Sequence, residues 1–272
     1  MRRFLYKIYW RLEARIVPGL RSSQFEYAET LETLLAPGCT WLEVGCGRRP
    51  MPEWMPKQQA RALALAGRVF GIDLDLRSLK DHTAYPGVAV ASGYQMPFPA
   101  GHFDVLSANM VVEHIEQPER LLAEVRRLLK PHGRFIFHTP NHKSIPIRMA
   151  TLFPQSLKEI IIRILENRKS EDVFPTFYRL NSRATVEKAA ENAGMRVVKL
   201  AFVNSSAMTA VLVPACIVEL LWLRRIAQPG FEHWRTNIIG VLEPDPDYHS
   251  DQLPHGRGSV LETQHGTTSV SE

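Results

Sequence analysis

Trp41-Leu42-Glu43-Val44-Gly45-Cys46-Gly47 constrains this chain more than any other segment, because an apolar run stops there at an acidic residue and a Gly-x-Gly turn. A second apolar run, Val69-Phe70-Gly71-Ile72, closes on Asp73-Leu74-Asp75. Two buried strands, one ending on a turn without bulky side chains and the next on a carboxylate, are what a doubly wound sheet offers a nucleoside-containing cofactor. The glycines let backbone N–H groups approach a ligand, and a carboxylate can accept both ribose hydroxyls. Taken alone, any turn-forming glycine pair after a strand would look similar. The dinucleotide fingerprint G-x-G-x-x-G is also incomplete, since Gly47 is followed by Arg48, Arg49 and Pro50.

A length of 272 residues accommodates one α/β domain with decorations. The net charge of +5 comes with 28 acidic residues and leaves no nucleic-acid footprint. Cys39, Cys46 and Cys216 are scattered and contain no CxxC pair, which predicts free thiols, a reducing cytoplasmic compartment and no zinc site. The basic N-terminus runs into interrupted aromatics rather than the unbroken apolar core of a signal peptide. Ala207 to Leu223 is almost entirely apolar, broken by Thr209, Pro214 and Glu219. It has three readings: a membrane span just short of the usual length, a membrane-touching lid, and a buried or lid helix pair. The last is favoured, because a carboxylate in mid-segment is expensive in lipid.

Residues 1–25 contain a basic amphipathic helix, with Phe4, Leu5, Ile8, Tyr9, Leu12 and Ile16 on one stripe and Arg2, Arg3, Lys7, Arg11 and Arg15 between them. Such a helix can dock on its own domain or lie on an anionic membrane. Residues 26–243 then alternate. A helix over 26–35 precedes strands at 41–45, 69–73, 88–91, 103–108, 134–138, 196–202 and 237–242. Helices are expected over 58–66, 76–80, 118–129 and 185–192. Pro131-His132-Gly133 should separate the helix at 118–129 from the strand that follows. The alternation predicts an α/β fold with a doubly wound, mostly parallel, seven-stranded Rossmann-like sheet and a helical insertion before the last strand. Insertions are expected at about 142–178, with a helix near 157–165, and at 205–230. Residues 244–272 lack core-forming composition and are expected to be disordered.

Together the Glu43–Gly47 turn, Gly71-Ile72-Asp73, Met96-Pro97-Phe98-Pro99 before Phe103-Asp104, Glu113-His114-Ile115, Glu124 to Pro131 and Thr139-Pro140-Asn141 resemble the class I S-adenosylmethionine-dependent methyltransferases. The resemblance is to the type 11, small-molecule branch that includes quinone C- and O-methyltransferases. It implies S-adenosyl-L-methionine as cofactor, held at Glu43, Gly45, Cys46 and Gly47, with Asp73 on the ribose hydroxyls, Leu74 beside the adenine and Asn109 near the methionine end. Where the family carries an Asp toward the adenine amino group, this chain has Ser92 and then Gly93, and Arg49 replaces the third glycine.

His114 is the candidate proton acceptor, because an imidazole titrates near neutrality; a packed, hydrogen-bonded histidine is the competing reading. Glu113 and His142 are substrate-side candidates, while His138 reads as packed in the sheet and Asp104 as a backbone anchor. Metal-assisted quinone O-methyltransferases read Glu-x-x-Glu-His at this place; Met110 takes the first position here, and no metal is expected. The Arg48-Arg49 pair fits either an anionic substrate or solvent.

The resemblance implies methyl transfer by in-line displacement to a small or lipid-linked acceptor, in the cytoplasm, with peripheral membrane contact suggested by the N-terminal helix. One alternative is an RNA or protein methyltransferase. It is disfavoured because Ser107-Ala108-Asn109-Met110 replaces the Asn/Asp-Pro-Pro-Tyr turn typical of exocyclic-amine methylation, and no RNA-binding module is appended. The other is a non-catalytic cofactor-binding module of the same fold.

Overall fold

The computed structural model describes residues 2–145, 148, 175–207, 209, 210 and 213–248. The helix expected near 157–165 and the tail beyond Tyr248 lie outside these residues. Strands β1 (Thr40–Val44), β2 (Arg68–Asp73), β3 (Val88–Val90), β4 (Phe103–Asn109), β5 (Leu129–Pro140), β6 (Met195–Val203) and β7 (Asn237–Pro244) form one sheet in the order β3-β2-β1-β4-β5-β7-β6. Neighbours from β3 through to β5 are parallel, and β7 runs antiparallel to both β5 and β6. This is the expected mostly parallel, doubly wound sheet. After β3 the chain returns to the other side of β1, so the order reverses between β1 and β4. In such sheets a crevice opens at the carboxyl ends of the strands on either side of that reversal.

Strand periodicity divides the core into two layers. Leu42, Leu106, Phe135 and Phe137 face α5 (Pro118–Leu128) and α6 (Arg183–Asn192). Their neighbours Trp41, Val105 and Ile136 face the opposite way, onto α2 (Ser23–Leu34) and α3 (Pro56–Leu65). Burial on both faces explains why these strands read as continuous apolar runs rather than alternating ones. A short helix, α4 (Leu76–Lys80), follows β2 and is capped by the Asp75 carboxylate, which accepts from the Arg77 and Ser78 N–H groups. Ser182 opens α6 with a capping box closed by Thr185.

The spacer expected at Pro131-His132-Gly133 lies inside β5, where residues 130–133 bulge out of register between the Leu129–Phe103 and Arg134–Val105 pairs. α5 ends at Leu128, and β5 begins at once with Leu129 paired to Phe103. Two tertiary contacts enforce this: Leu129 is buried in the core, and the Lys130 ammonium lies 2.7 Å from the Asp104 carboxylate. A register break between Phe103 and Val105 accommodates the early entry. Asp104 also accepts the Thr40 N–H at 2.9 Å and so ties the starts of β1, β4 and β5 together.

A third cluster stands apart from the two sheet layers. α1 (Arg2–Ile16) packs on α7 (Val213–Ile226) around Tyr9, Val17, Cys216, Leu220, Leu223 and Ile226. The carboxylate that interrupts the apolar segment, Glu219, is buried there; it accepts from the Tyr9 hydroxyl at 3.0 Å and the Thr209 N–H at 2.8 Å. Among the described residues no helix is long and apolar enough to cross a membrane.

Candidate functional site

The turn after β1 folds back over the end of β2. Gly45 and Cys46 both donate their N–H groups to the Ile72 carbonyl, at 2.8 and 3.0 Å. Gly45 is required twice over: its φ is +71°, and a Cβ there would lie 2.4 Å from Val111 Cγ2. Gly71 is required by close approach, since a Cβ would meet Cys46 Sγ at 2.6 Å and the Tyr85 hydroxyl at 2.7 Å. Burial pushes the Cys46 thiol up to about 12, with the Glu43 and Asp73 carboxylates adding to the effect. Cys46 is therefore a packing thiol rather than a nucleophile.

Asp73 sits where the turn and β2 meet. One carboxylate oxygen accepts the Gly47 N–H at 2.9 Å and the other the Asp75 N–H at 2.8 Å. Each of those bonds uses one lone pair, so each oxygen keeps acceptor capacity toward the crevice. Beside it Leu74 is 69% exposed, an apolar side chain left in water at the lip of the site. Glu43, one layer deeper, is buried; burial raises its pKa well above the carboxylate range, Asp73 adds to the rise, and the Tyr85 hydroxyl works against it. The His82 Nδ1–H donates to the Gly47 carbonyl at 2.8 Å and fixes the far side of the turn.

The loop after β3 passes over the end of β1. A Cβ on Gly93 would lie 3.0 Å from Leu121 Cδ1 and 3.6 Å from Val44 Cγ1, so this loop is held close between strand and helix. The Ser92 hydroxyl accepts the Tyr94 N–H at 3.2 Å and keeps its own proton for another partner.

At the end of β4, Asn109 is held by an amide pair with Gln24 of α2, at 3.0 and 3.3 Å. Its carbonyl oxygen also lies 2.9 Å from His138 Nδ1. Burial drops the His138 pKa to about 3, so the ring is neutral; it donates through Nδ1–H and stacks on Tyr27, with centroids 5.6 Å apart. Met110 follows in the left-handed region at φ +58°, its N–H bonded to the His138 carbonyl. Gln24, Tyr27 and Tyr85 all escaped the reading of the sequence. They sit in an ordinary amphipathic helix and a loop, and only the fold brings them to the strand ends.

The substrate-side candidates occupy different positions. Glu113, in a 3-10 turn (Val112–His114), is buried and accepts the Thr139 hydroxyl at 3.0 Å. Asn181 Nδ2 in turn donates to Thr139 Oγ1 and to the Pro140 carbonyl, both at 2.7 Å. The Glu113 carbonyl accepts from Phe177 and Tyr178. Glu113 therefore faces inward and fastens the returning segment to β5. The Nδ1–H of His114 donates to the Pro175 carbonyl at 2.8 Å. His142 is exposed, with its ring 5.7 Å from that of Tyr178 and its N–H on the Asn181 carbonyl. Both histidines thus border the same segment, 175–181. Arg48 and Arg49 are exposed and lie 3.5 Å from Asp81 and Glu53 respectively. No cluster of His, Cys, Asp and Glu among the described residues could hold a metal ion.

The seven-stranded sheet, with its order reversed between β1 and β4, agrees in fold with known proteins. Residues 42–137 match the model of a methyltransferase-domain family, type 11. A ubiquinone biosynthesis O-methyltransferase of Thiobacillus denitrificans is 29% identical over 131 residues, 45% of this chain and 53% of that protein. The chain thus spans about half the length of such curated relatives. Among solved structures, an S-adenosylmethionine-dependent methyltransferase from Mesorhizobium loti superposes with TM-score 0.51 at 17% identity, over 79% of this chain and 96% of the other. Geranyl diphosphate C-methyltransferase from Streptomyces coelicolor A3(2), solved with S-adenosyl-L-homocysteine, gives TM-score 0.50 at 17% identity, over 80% and 78% of the two chains. At these identities the structural likeness is one of fold.

Proposed function

We propose that this protein transfers a methyl group from S-adenosyl-L-methionine to a small or lipid-linked acceptor. The observation that carries the reading is the Asp73 carboxylate, oriented by the Gly47 and Asp75 N–H groups and flanked by exposed Leu74. The residues fit the cofactor: glycines clear the turn for close approach, a carboxylate suits a vicinal diol, and an apolar side chain suits a base face. Gly45, Cys46 and Gly47 would line the methionine and ribose portion, Ser92 and Gly93 the adenine side, and Asn109 the methionine end, oriented by Gln24 and His138. When bound, S-adenosylmethionine supplies a methyl already activated on a sulfonium, so that in-line positioning and charge dispersal dominate catalysis.

For a hydroxyl acceptor, His114 is the proposed proton acceptor, its ring oriented by the Nδ1–H bond to the Pro175 carbonyl. His142 is the proposed contact on the acceptor side, and Glu113 acts through the Thr139–Asn181 bonds by holding that rim in place. The acceptor class is supported by the names of relatives that act in ubiquinone biosynthesis and on geranyl diphosphate. The buried Cys39, Cys46 and Cys216 form no disulfide, which fits a reducing cytoplasm.

Calorimetry with S-adenosylmethionine tests the reading. Asp73→Ala should weaken binding by about ten- to a hundredfold, the worth of charge-assisted hydrogen bonds. Absence of binding to the wild-type protein, or equal binding by the variant, would overturn it. Comparison of metabolites and lipids from cells with and without the protein, searched for a difference of one methylene, identifies the acceptor.

A further inference from the structure

The outer faces of α1 and α7 combine two features that a helix pair dissolved in water does not need together. On α7 the buried side is Cys216, Glu219, Leu220, Leu223 and Ile226. On its outer side Ile217, Val218 and Leu221 are 43%, 68% and 54% exposed, within one turn of each other, and Arg224 and Arg225 continue the stripe. On α1 Tyr9 is fully buried against α7, and the opposite face exposes Lys7, Arg11 and Arg15 flanked by Phe4 and Trp10. A helix packed on one side and bathed in water on the other should carry polar residues outward. Here the outward residues are apolar or cationic.

The distribution of charge specifies the occupant. Each helix has one carboxylate, and neither lies on the outer face: Glu219 is buried on Tyr9 and Thr209, and Glu13 is half-buried. Among the described residues, Lys7, Arg11, Arg15 and Arg224 take part in none of the ion pairs. Among the described residues the positive surface is therefore uncompensated, and on α1 itself the exposed Phe4 and Trp10 flank it. A second copy of this chain would set like charges against each other. A nucleic acid would leave Ile217, Val218 and Leu221 facing phosphates. With 14 residues α7 is about 21 Å long, too short to span a bilayer but suited to lie in its interface.

We propose that α1 and α7 form a docking surface for an anionic lipid bilayer. α7 sinks Ile217, Val218 and Leu221 into the headgroup boundary, and Lys7, Arg11 and Arg15 of α1 face the lipid phosphates. The surface is independent of the crevice at β1 and β2, so docking stands or falls separately from methyl transfer.

The full chain is sedimented with vesicles of phosphatidylcholine alone and of phosphatidylcholine mixed with phosphatidylglycerol, at low and high salt. Binding is expected on the anionic vesicles at low salt and should fall at high salt. Lys7→Gln/Arg11→Gln/Arg15→Gln should weaken it by roughly a hundredfold, because each cation near such a surface is worth about a fivefold gain. Val218→Gln/Leu221→Gln should weaken it by at least tenfold at either salt concentration. The substituted side chains are exposed, so thermal midpoints and S-adenosylmethionine calorimetry should stay at wild-type values and report a folded domain. No co-sedimentation, equal binding to neutral vesicles, or binding unaffected by either variant would overturn the proposal. It would equally be overturned by light scattering that shows an oligomer which Val218→Gln/Leu221→Gln converts to monomer, since the face would then be a protein interface.

Discussion

The two sides of the crevice are built on different principles. At β1 and β2 the site consists of short contiguous stretches, 43–47 and 71–75, whose backbone groups bond to each other and to the Asp73 carboxylate. At β4 and β5 it consists of side chains far apart in sequence: Gln24, Asn109 and His138 in one network, and Glu113, Thr139 and Asn181 in another. The first side depends on missing side chains and the second on side chains that must be present. A local turn can therefore be damaged by adding one atom, whereas a dispersed network is damaged by removing a partner.

The largest expected effect is on the turn. Gly45→Ala combines a strained left-handed φ with a Cβ 2.4 Å from Val111, and should cost about 3 kcal/mol in denaturant titrations. Wild-type stability would show that the turn has slack and would break the contrast.

The next effect depends on pH. Burial lowers the folded pKa of His138 to about 3, below the ~6.5 of an exposed imidazole, so the unfolded chain takes up its proton first as the pH falls. Its contribution is complete above ~6.5 and is lost progressively toward about 3, on the order of 1.4 kcal/mol per pH unit. His138→Phe keeps a ring against Tyr27, and the slope of stability against pH should flatten. An unchanged slope would mean that other groups carry it.

Thr139→Val preserves shape but deprives Glu113 of a donor and Asn181 of an acceptor inside the protein. It should cost about 2 kcal/mol while leaving S-adenosylmethionine binding near wild type. A collapse of cofactor binding instead would show that the two sides of the crevice are coupled.

The smallest effect is expected at Asp104. Burial raises its pKa, but the Lys130 ammonium and the Thr40 N–H outweigh burial and hold the carboxyl below its ordinary range. The stabilisation is present above the usual aspartate pKa and is lost as the pH falls through the lower folded value. Because both partners are partly exposed, Asp104→Asn should cost under ~1 kcal/mol at neutral pH, as measured by thermal unfolding.

The sequence was most informative where chemistry is local. The strand periods, the glycine turn, Asp73 and the Ser182 helix start could all be read directly, because each depends on residues within a few positions of one another. It missed the early start of β5 at Leu129, which depends on the pairing with Phe103 and on Lys130 meeting Asp104, although Pro131-His132-Gly133 does interrupt the pairing with β4 until Arg134. Glu113 shows the limit best. Beside His114 it reads as a residue facing the substrate, yet a hydroxyl 26 positions away turns it into the core. Gln24 and Tyr27 carried no motif at all.

The alternation of strands and helices, the sheet and the acidic glycine turn were thus determined by the sequence. Backbone conformation and burial period are written over a few residues at a time. The tertiary structure decided which side chains meet at the strand ends, why Glu219 is tolerated in an apolar helix, and which faces of α1 and α7 remain in solvent. Those outcomes depend on packing between segments distant along the chain, and no local pattern encodes which distant partner will arrive.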